Sequence, residues 1–198
     1  MKLGDVGVPA TPAAVAAREV ATEYCSTALF NHSERSYYFA VGFASVAALD
    51  FDAELLYVSA LLHDLGLTEA FDNYRIAFET AGGHAAWVLT AGAGWPAERR
   101  RRALEVIERH MWPSVGPELD PEGHLLEIAT GLDISGTRPD VLPRSFLHEV
   151  LDRYPRLDLG AEFTACLADQ AARKPETAAA RLVAGGLAEK LAHHPLER

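Results

Sequence analysis

Cysteine is scarce in this chain of 198 residues: Cys25 and Cys166 stand alone, with no CxxC pair. That argues against a disulfide framework and leaves two reduced, buried thiols of a cytoplasmic protein as the expectation. Basic residues are also short, 18 Lys and Arg against 28 Asp and Glu, for a formal net charge of -10. Such a balance disfavours a protein that tracks nucleic-acid phosphates or docks on an anionic membrane, and leaves a small-molecule substrate. No apolar run approaches the roughly 20 residues that span a bilayer, and no signal core follows Lys2. Period-two alternation is missing as well, so no strand is expected. What remains is 49% apolar and 23% charged, the composition of a soluble globular protein with one sizeable core.

The chain reads as a single all-α domain over 12–198 behind a flexible lead-in, residues 1–11. Thr11-Pro12 suits a helix start, followed by a helix over 13–29. Asn31 and Glu34 have capping-box spacing and predict a second helix from there to about Leu49. Asp50 or Asp52 would cap a third, ending at His63-Asp64 with Gly66 as the stop. Residues 65–79 read as irregular, and Gly82-Gly83 as a break before a helix from His84 to Ala91. Further helices are expected from Pro96 to before Pro113, from Pro121 to Ile134, and from Pro143 through Leu151. Two alanine-rich helices follow, over about 160–172 and 176–192, the latter offering a face for a second subunit in a homo-oligomer.

His63-Asp64 closes an almost wholly apolar stretch, Leu55-Leu56-Tyr57-Val58-Ser59-Ala60-Leu61-Leu62. A charged carboxylate at the edge of a buried core is costly unless a cation or hydrogen bonds offset its desolvation. A metal ion does this for both side chains together. Other candidates for the same point are His32, His84, His110 and Asp133, each near a helix end or one turn from apolar residues. His110 shares a face with Ala103 and Ile107, and His84 with Trp87, Val88 and Ala91. His124, His148, His193 and His194 fall in polar or terminal settings and read as surface residues.

The ordered set His32, His63-Asp64, Asp133 resembles the H…HD…D signature of the HD-domain superfamily of metal-dependent hydrolases. The resemblance narrows to cyanamide hydratase-like HD proteins through Asn31-His32-Ser33 with Arg35, Tyr38-Phe39-Ala40 and "ALLHDLGLT" at 60–68. Phe78-Glu79, Tyr154-Pro155-Arg156 and Lys174-Pro175-Glu176-Thr177 extend it, so that it spans roughly residues 30–177. It implies an all-helical HD domain in which His32, His63, Asp64 and Asp133 hold one divalent metal, zinc. One departure is His84, a position usually not histidine in such proteins. With His110 it gives the order H…HD…H…H…D, which is similar to the two-metal branch of the superfamily. There Asp64 would bridge two iron ions, and His84 and His110 would complete the second site.

Under the one-metal reading, activated water adds to a small nitrile-like or amide-like substrate, as in conversion of cyanamide to urea. Asp64 belongs to the catalytic group, and His84, His110 or Glu79 would protonate the developing nitrogen anion. Asn31, Arg35, Phe39, Phe78 and Trp112 are the expected pocket residues. A salt bridge to Arg75 or Arg35 is the plainer role for Glu79. A binuclear di-iron oxygenase is the alternative, and a phosphohydrolase a further one. Arg99-Arg100-Arg101-Arg102 could serve the latter, although four consecutive residues point all around a helix and read better as a solvated face.

Overall fold

A computed structural model describes residues 1–197, and among them ten α-helices and no strand occur. The helices are α1 (Pro12–Tyr24), α2 (Thr27–Ala47), α3 (Ala53–Leu62), α4 (Phe78–Gly92) and α5 (Ala97–Arg109). They continue with α6 (Pro121–Ser135), α7 (Arg144–Arg153), α8 (Leu159–Arg173), α9 (Ala178–Ala184) and α10 (Leu187–Ala192). No helix among the described residues is long and apolar enough to cross a membrane.

Local chemistry sets the starts. Thr11 Oγ1 accepts from the Ala14 amide with Pro12 in the first turn, and Asp52 Oδ1 accepts from Leu55. Asp120 does the same for Gly123 at the head of α6. Each side chain satisfies an amide that the helix itself leaves without a partner. The second helix differs from the sequence expectation. Ser26, not Asn31, caps it by accepting from Leu29, so His32 lies in its second turn. Asn31 is buried within the helix and donates Nδ2–H to the Pro155 carbonyl at 2.8 Å.

Helix α3 explains why its sequence shows no polar face. It packs against α1, α2, α4, α5 and α6, and every residue from Leu55 to Leu62 is buried. A helix enclosed on all sides is apolar all round.

Gly82-Gly83 does not break the chain; it lies inside α4. A Cβ at Gly82 would stand 2.8 Å from the Leu62 carbonyl oxygen and 3.0 Å from that of His63. Glycine there lets α4 press against the end of α3 that carries the His-Asp pair. Small residues thus form the inner face of α4, Ala81, Gly82 and Ala86 being buried. The face expected to be inward is the outer one: His84 is exposed and Val88 is 72% exposed. A real break occurs later, where Gly185 and Gly186 divide the segment 176–192 into α9 and α10; Gly186 has φ +78°.

The lead-in, residues 1–11, contains a 3₁₀ turn at Leu3–Asp5, and Val6 is buried. The Leu3 amide donates to Glu149, and Tyr37 Oη donates to the Gly7 carbonyl. Of the arginine run, Arg99 pairs with Asp52 and Glu54, and Arg102 with Asp120 and Glu122. These pairs tie α5 to the heads of α3 and α6, while Arg101 is exposed.

Two apolar clusters fill the interior. The larger joins α1 to α7 and holds the apolar residues of α3 from Leu55 to Leu62; the smaller centres on Phe78, Leu159, Phe163, Leu167, Leu187 and Leu191. His32 and His63 sit where they meet, the ring of His32 being 6.0 Å from that of Phe163.

Candidate metal centre

His32 comes from α2, His63 caps the C-terminus of α3, and Asp64 follows it into a 3₁₀ turn at Leu65–Leu67. All three are sealed from solvent. His32 Nε2 lies 3.1 Å from His63 Nε2 and 3.3 Å from Asp64 Oδ2, and His63 Nε2 is 3.2 Å from the same oxygen. His110 caps the C-terminus of α5, and its Nε2 is 3.8 Å from Asp64 Oδ1.

The hydrogen bonds around this group fix which nitrogens are free. His63 Nδ1 donates to the Ala60 carbonyl at 2.8 Å, and His110 Nδ1 to that of Ile107. In both, a histidine at a helix end folds back on the carbonyl three residues earlier and satisfies an oxygen the helix leaves open. His32 Nδ1 donates to Asp133 Oδ2 at 2.7 Å. With Nδ1 occupied as the donor, a neutral imidazole carries its lone pair on Nε2. The Nε2 lone pairs of His32 and His63 therefore point at each other and at Asp64. Neither Asp64 oxygen makes a well-formed hydrogen bond, despite being buried.

Such a set of acceptors needs a cation. Separations of 3.1–3.3 Å match the edge of a ligand polyhedron with bonds of about 2.0–2.2 Å, the range for imidazole and carboxylate on a zinc-sized ion. His32, His63 and Asp64 thus have the donor types, spacing and burial that hold a divalent metal. Burial alone would raise the Asp64 value, but His63 and His32 beside it hold the carboxyl far below its usual range. With no ion between these groups a proton on His32 serves the same need: burial works to lower the His32 value, yet its bond to Asp133 and the adjacent Asp64 carboxylate take it above the ordinary one. Burial lowers His110 to about 3, so its ring is neutral.

Asp133 is brought to the centre but differs from the expected fourth ligand. It stands behind His32, and both its oxygens are already occupied. Arg35 reaches it with two parallel bonds, Nε to Oδ1 at 2.9 Å and Nη2 to Oδ2 at 2.7 Å. Arg156 Nη1 adds another to Oδ1 at 3.0 Å. The Arg35 guanidinium and His32 outweigh the cost of burying the carboxyl and keep it well below its usual range. Supports of this kind fix the orientation and basicity of a metal-binding imidazole.

A cavity of about 240 Å³ opens on His32, His63, Asp64 and His110. Of the expected pocket residues, Trp112 lines it. Asn31 and Arg35 instead anchor α2 to the Tyr154–Pro155 carbonyls. Phe39 and Phe78 are wholly buried in the core, with the Phe78 ring 5.9 Å from that of His110. Glu79 is buried, makes no ion pair among the described residues, and does not line the cavity; burial raises its value. His84 lies on the outer face of α4, away from the cluster that Asp64 forms with the other histidines.

Several wall residues have no signal in the sequence. Glu127, Thr130, Gly131 and Ile134 form one face of α6 at helical spacing, a pattern that looks like ordinary packing. Met111 follows His110, whereas Phe163 and Leu182 arrive from α8 and α9.

Comparison with known proteins agrees with this architecture. A model of the HD domain matches residues 29–134, just over half the chain and the span from the start of α2 to the end of α6. The cyanamide hydratases DDI2 and DDI3 of Saccharomyces cerevisiae are each 29% identical to it over 162 residues. Those residues are 80% of this chain and 72% of each relative. With a buried His-His-Asp group at its centre and the matching span around it, the chain belongs to the HD domain family.

Proposed function

We propose that this chain is a metal-dependent hydratase that adds water across a carbon–nitrogen multiple bond of a small neutral substrate, as in cyanamide to urea. The observation that carries this is the convergence of His32, His63, Asp64 and His110 on one cavity that lacks any cationic side chain. Its described lining has the carboxylates Asp64 and Glu127 but neither Lys nor Arg. Apart from a bound ion, a phosphate ester would find no Lys or Arg there to pair with its oxygens, which argues against the phosphohydrolase reading. The likeness to the yeast cyanamide hydratases supports the same reaction class.

A divalent ion, zinc in this reading, would be held by His32, His63 and Asp64 and would supply Lewis acidity that brings the pKa of water toward neutrality. Asp133 holds His32 in register through Nδ1. The neutral His110 presents Nε2 to the cavity, placed to take a proton from the attacking water. As the water oxygen bonds to the substrate carbon, that proton passes to the substrate nitrogen. Of the three residues expected to serve as proton donor, His110 alone is among the described residues lining the cavity.

A di-iron oxygenase is the second reading, favoured by His110 facing the other oxygen of Asp64. It is weakened by the outward position of His84, which leaves the second ion short of a ligand. Metal analysis of purified protein, with urea production from cyanamide scored on the same sample, tests both. One zinc per chain and urea formation are expected; two iron ions per chain would overturn the hydratase.

A further inference from the structure

Cyanamide is a bare N–C–N skeleton, and the cavity is far too large for it. Its volume of about 240 Å³ equals roughly eight waters at about 30 Å³ each, and exceeds the about 150 Å³ of an apolar cavity known to take benzene. The excess space is walled by Met111, Trp112, Ile134, Phe163 and Leu182. The metal-binding group lies at the same cavity, with the Phe163 ring 6.0 Å from that of His32. Substrate pockets combine this kind of apolar wall with a few convergent polar groups.

We infer that the substrate carries an uncharged apolar substituent of about ring size beside its reacting nitrile or amide group. The inference rests on the hydratase reading for the reacting end and on the cavity wall for the other. Glu127, with no Lys or Arg in the described lining, disfavours an anionic substituent. The step balances as simple hydration: R–NH–C≡N and water give R–NH–CO–NH2, the water oxygen bonding to carbon and both its protons ending on nitrogen.

N-phenylcyanamide against cyanamide, and phenylurea against urea, separate the two layers. With zinc-loaded protein, phenylurea should bind at least tenfold tighter than urea by calorimetry, as burial of a phenyl-sized group implies. Leu182→Ser, at a partly buried position, should reduce that ratio severalfold, and Trp112→Ser gives the same check at the half-exposed mouth. Equal binding of the two ureas would overturn the apolar subsite even if cyanamide is hydrated. A strong phenylurea preference without turnover of either cyanamide would overturn the hydratase reading and leave the subsite standing.

Discussion

His32 donates Nδ1–H to Asp133 Oδ2 at 2.7 Å, and Asp133 is in turn clamped by Arg35 and Arg156. The carboxylate therefore sets the direction in which the His32 lone pair points. Asp133→Asn preserves the shape but not the charge. It should weaken zinc binding by about 10–100-fold, the usual effect of losing such a support, as read by competition with a chelator. Asp133→Ala leaves the buried Arg35 without its carboxylate partner, while Arg156 keeps Glu197, and should cost about 3–5 kcal/mol of stability in urea denaturation. If Asp133→Asn bound zinc as tightly as the parent, the positioning role would fall.

His84 and His110 separate cleanly. His84→Ala, on an exposed face, should change stability by no more than about 0.5 kcal/mol and keep the metal content unchanged. His110→Ala should retain one ion but lose about 10²–10⁴-fold in kcat, the scale of removing a proton-transfer group. Metal loss in the His84 variant would instead mark it as a ligand.

Close approach at Gly82 gives a structural test. Gly82→Ala would push a methyl into the Leu62 and His63 carbonyls and should destabilise the fold by about 1–3 kcal/mol. Because the shifted backbone carries His63, zinc affinity should fall with it; Gly92→Ala, with nothing within 4 Å, is the control.

His194 makes stability depend on pH. It is buried, its Nε2 donates to the Leu132 carbonyl, and its Nδ1 accepts from the Leu196 amide. The surface position expected from its terminal setting is thus corrected: the chain end folds back over α6. Burial, with Arg156 nearby, lowers His194 to about 4, against the partial opposition of Asp133 and Glu197. The folded value lies below the unfolded one of about 6.5. The unfolded chain therefore binds more protons between those values, and stability rises with pH across that window. The contribution is complete above about pH 6.5 and is lost toward pH 4, by at most about 1.4 kcal/mol per pH unit. Urea denaturation at pH 7, 6 and 5 should show the gap between wild type and His194→Gln narrowing on acidification. A constant gap would contradict it.

How much was legible in the sequence depends on how local the cause was. His63-Asp64 stood out because eight preceding residues are buried on every face, which an amino-acid run displays directly. Cap residues at Thr11, Asp52 and the proline starts were readable for the same reason. The role of Asp133 was hidden because its partners Arg35 and Arg156 are distant in the chain. His84 misled because α4 packs through glycine and alanine. Val88 lies outside, and Arg100 sits over the Trp87 ring at 4.9 Å. Periodicity locates a face but does not say whether bulk or closeness fills it.

The cavity has two origins. The side chains that would grip an ion come from the span that matches the HD domain, while Phe163 and Leu182 come from helices beyond it. A change at Leu182 in α9 would therefore reshape the room beside the ion-binding group without replacing any residue that holds the ion.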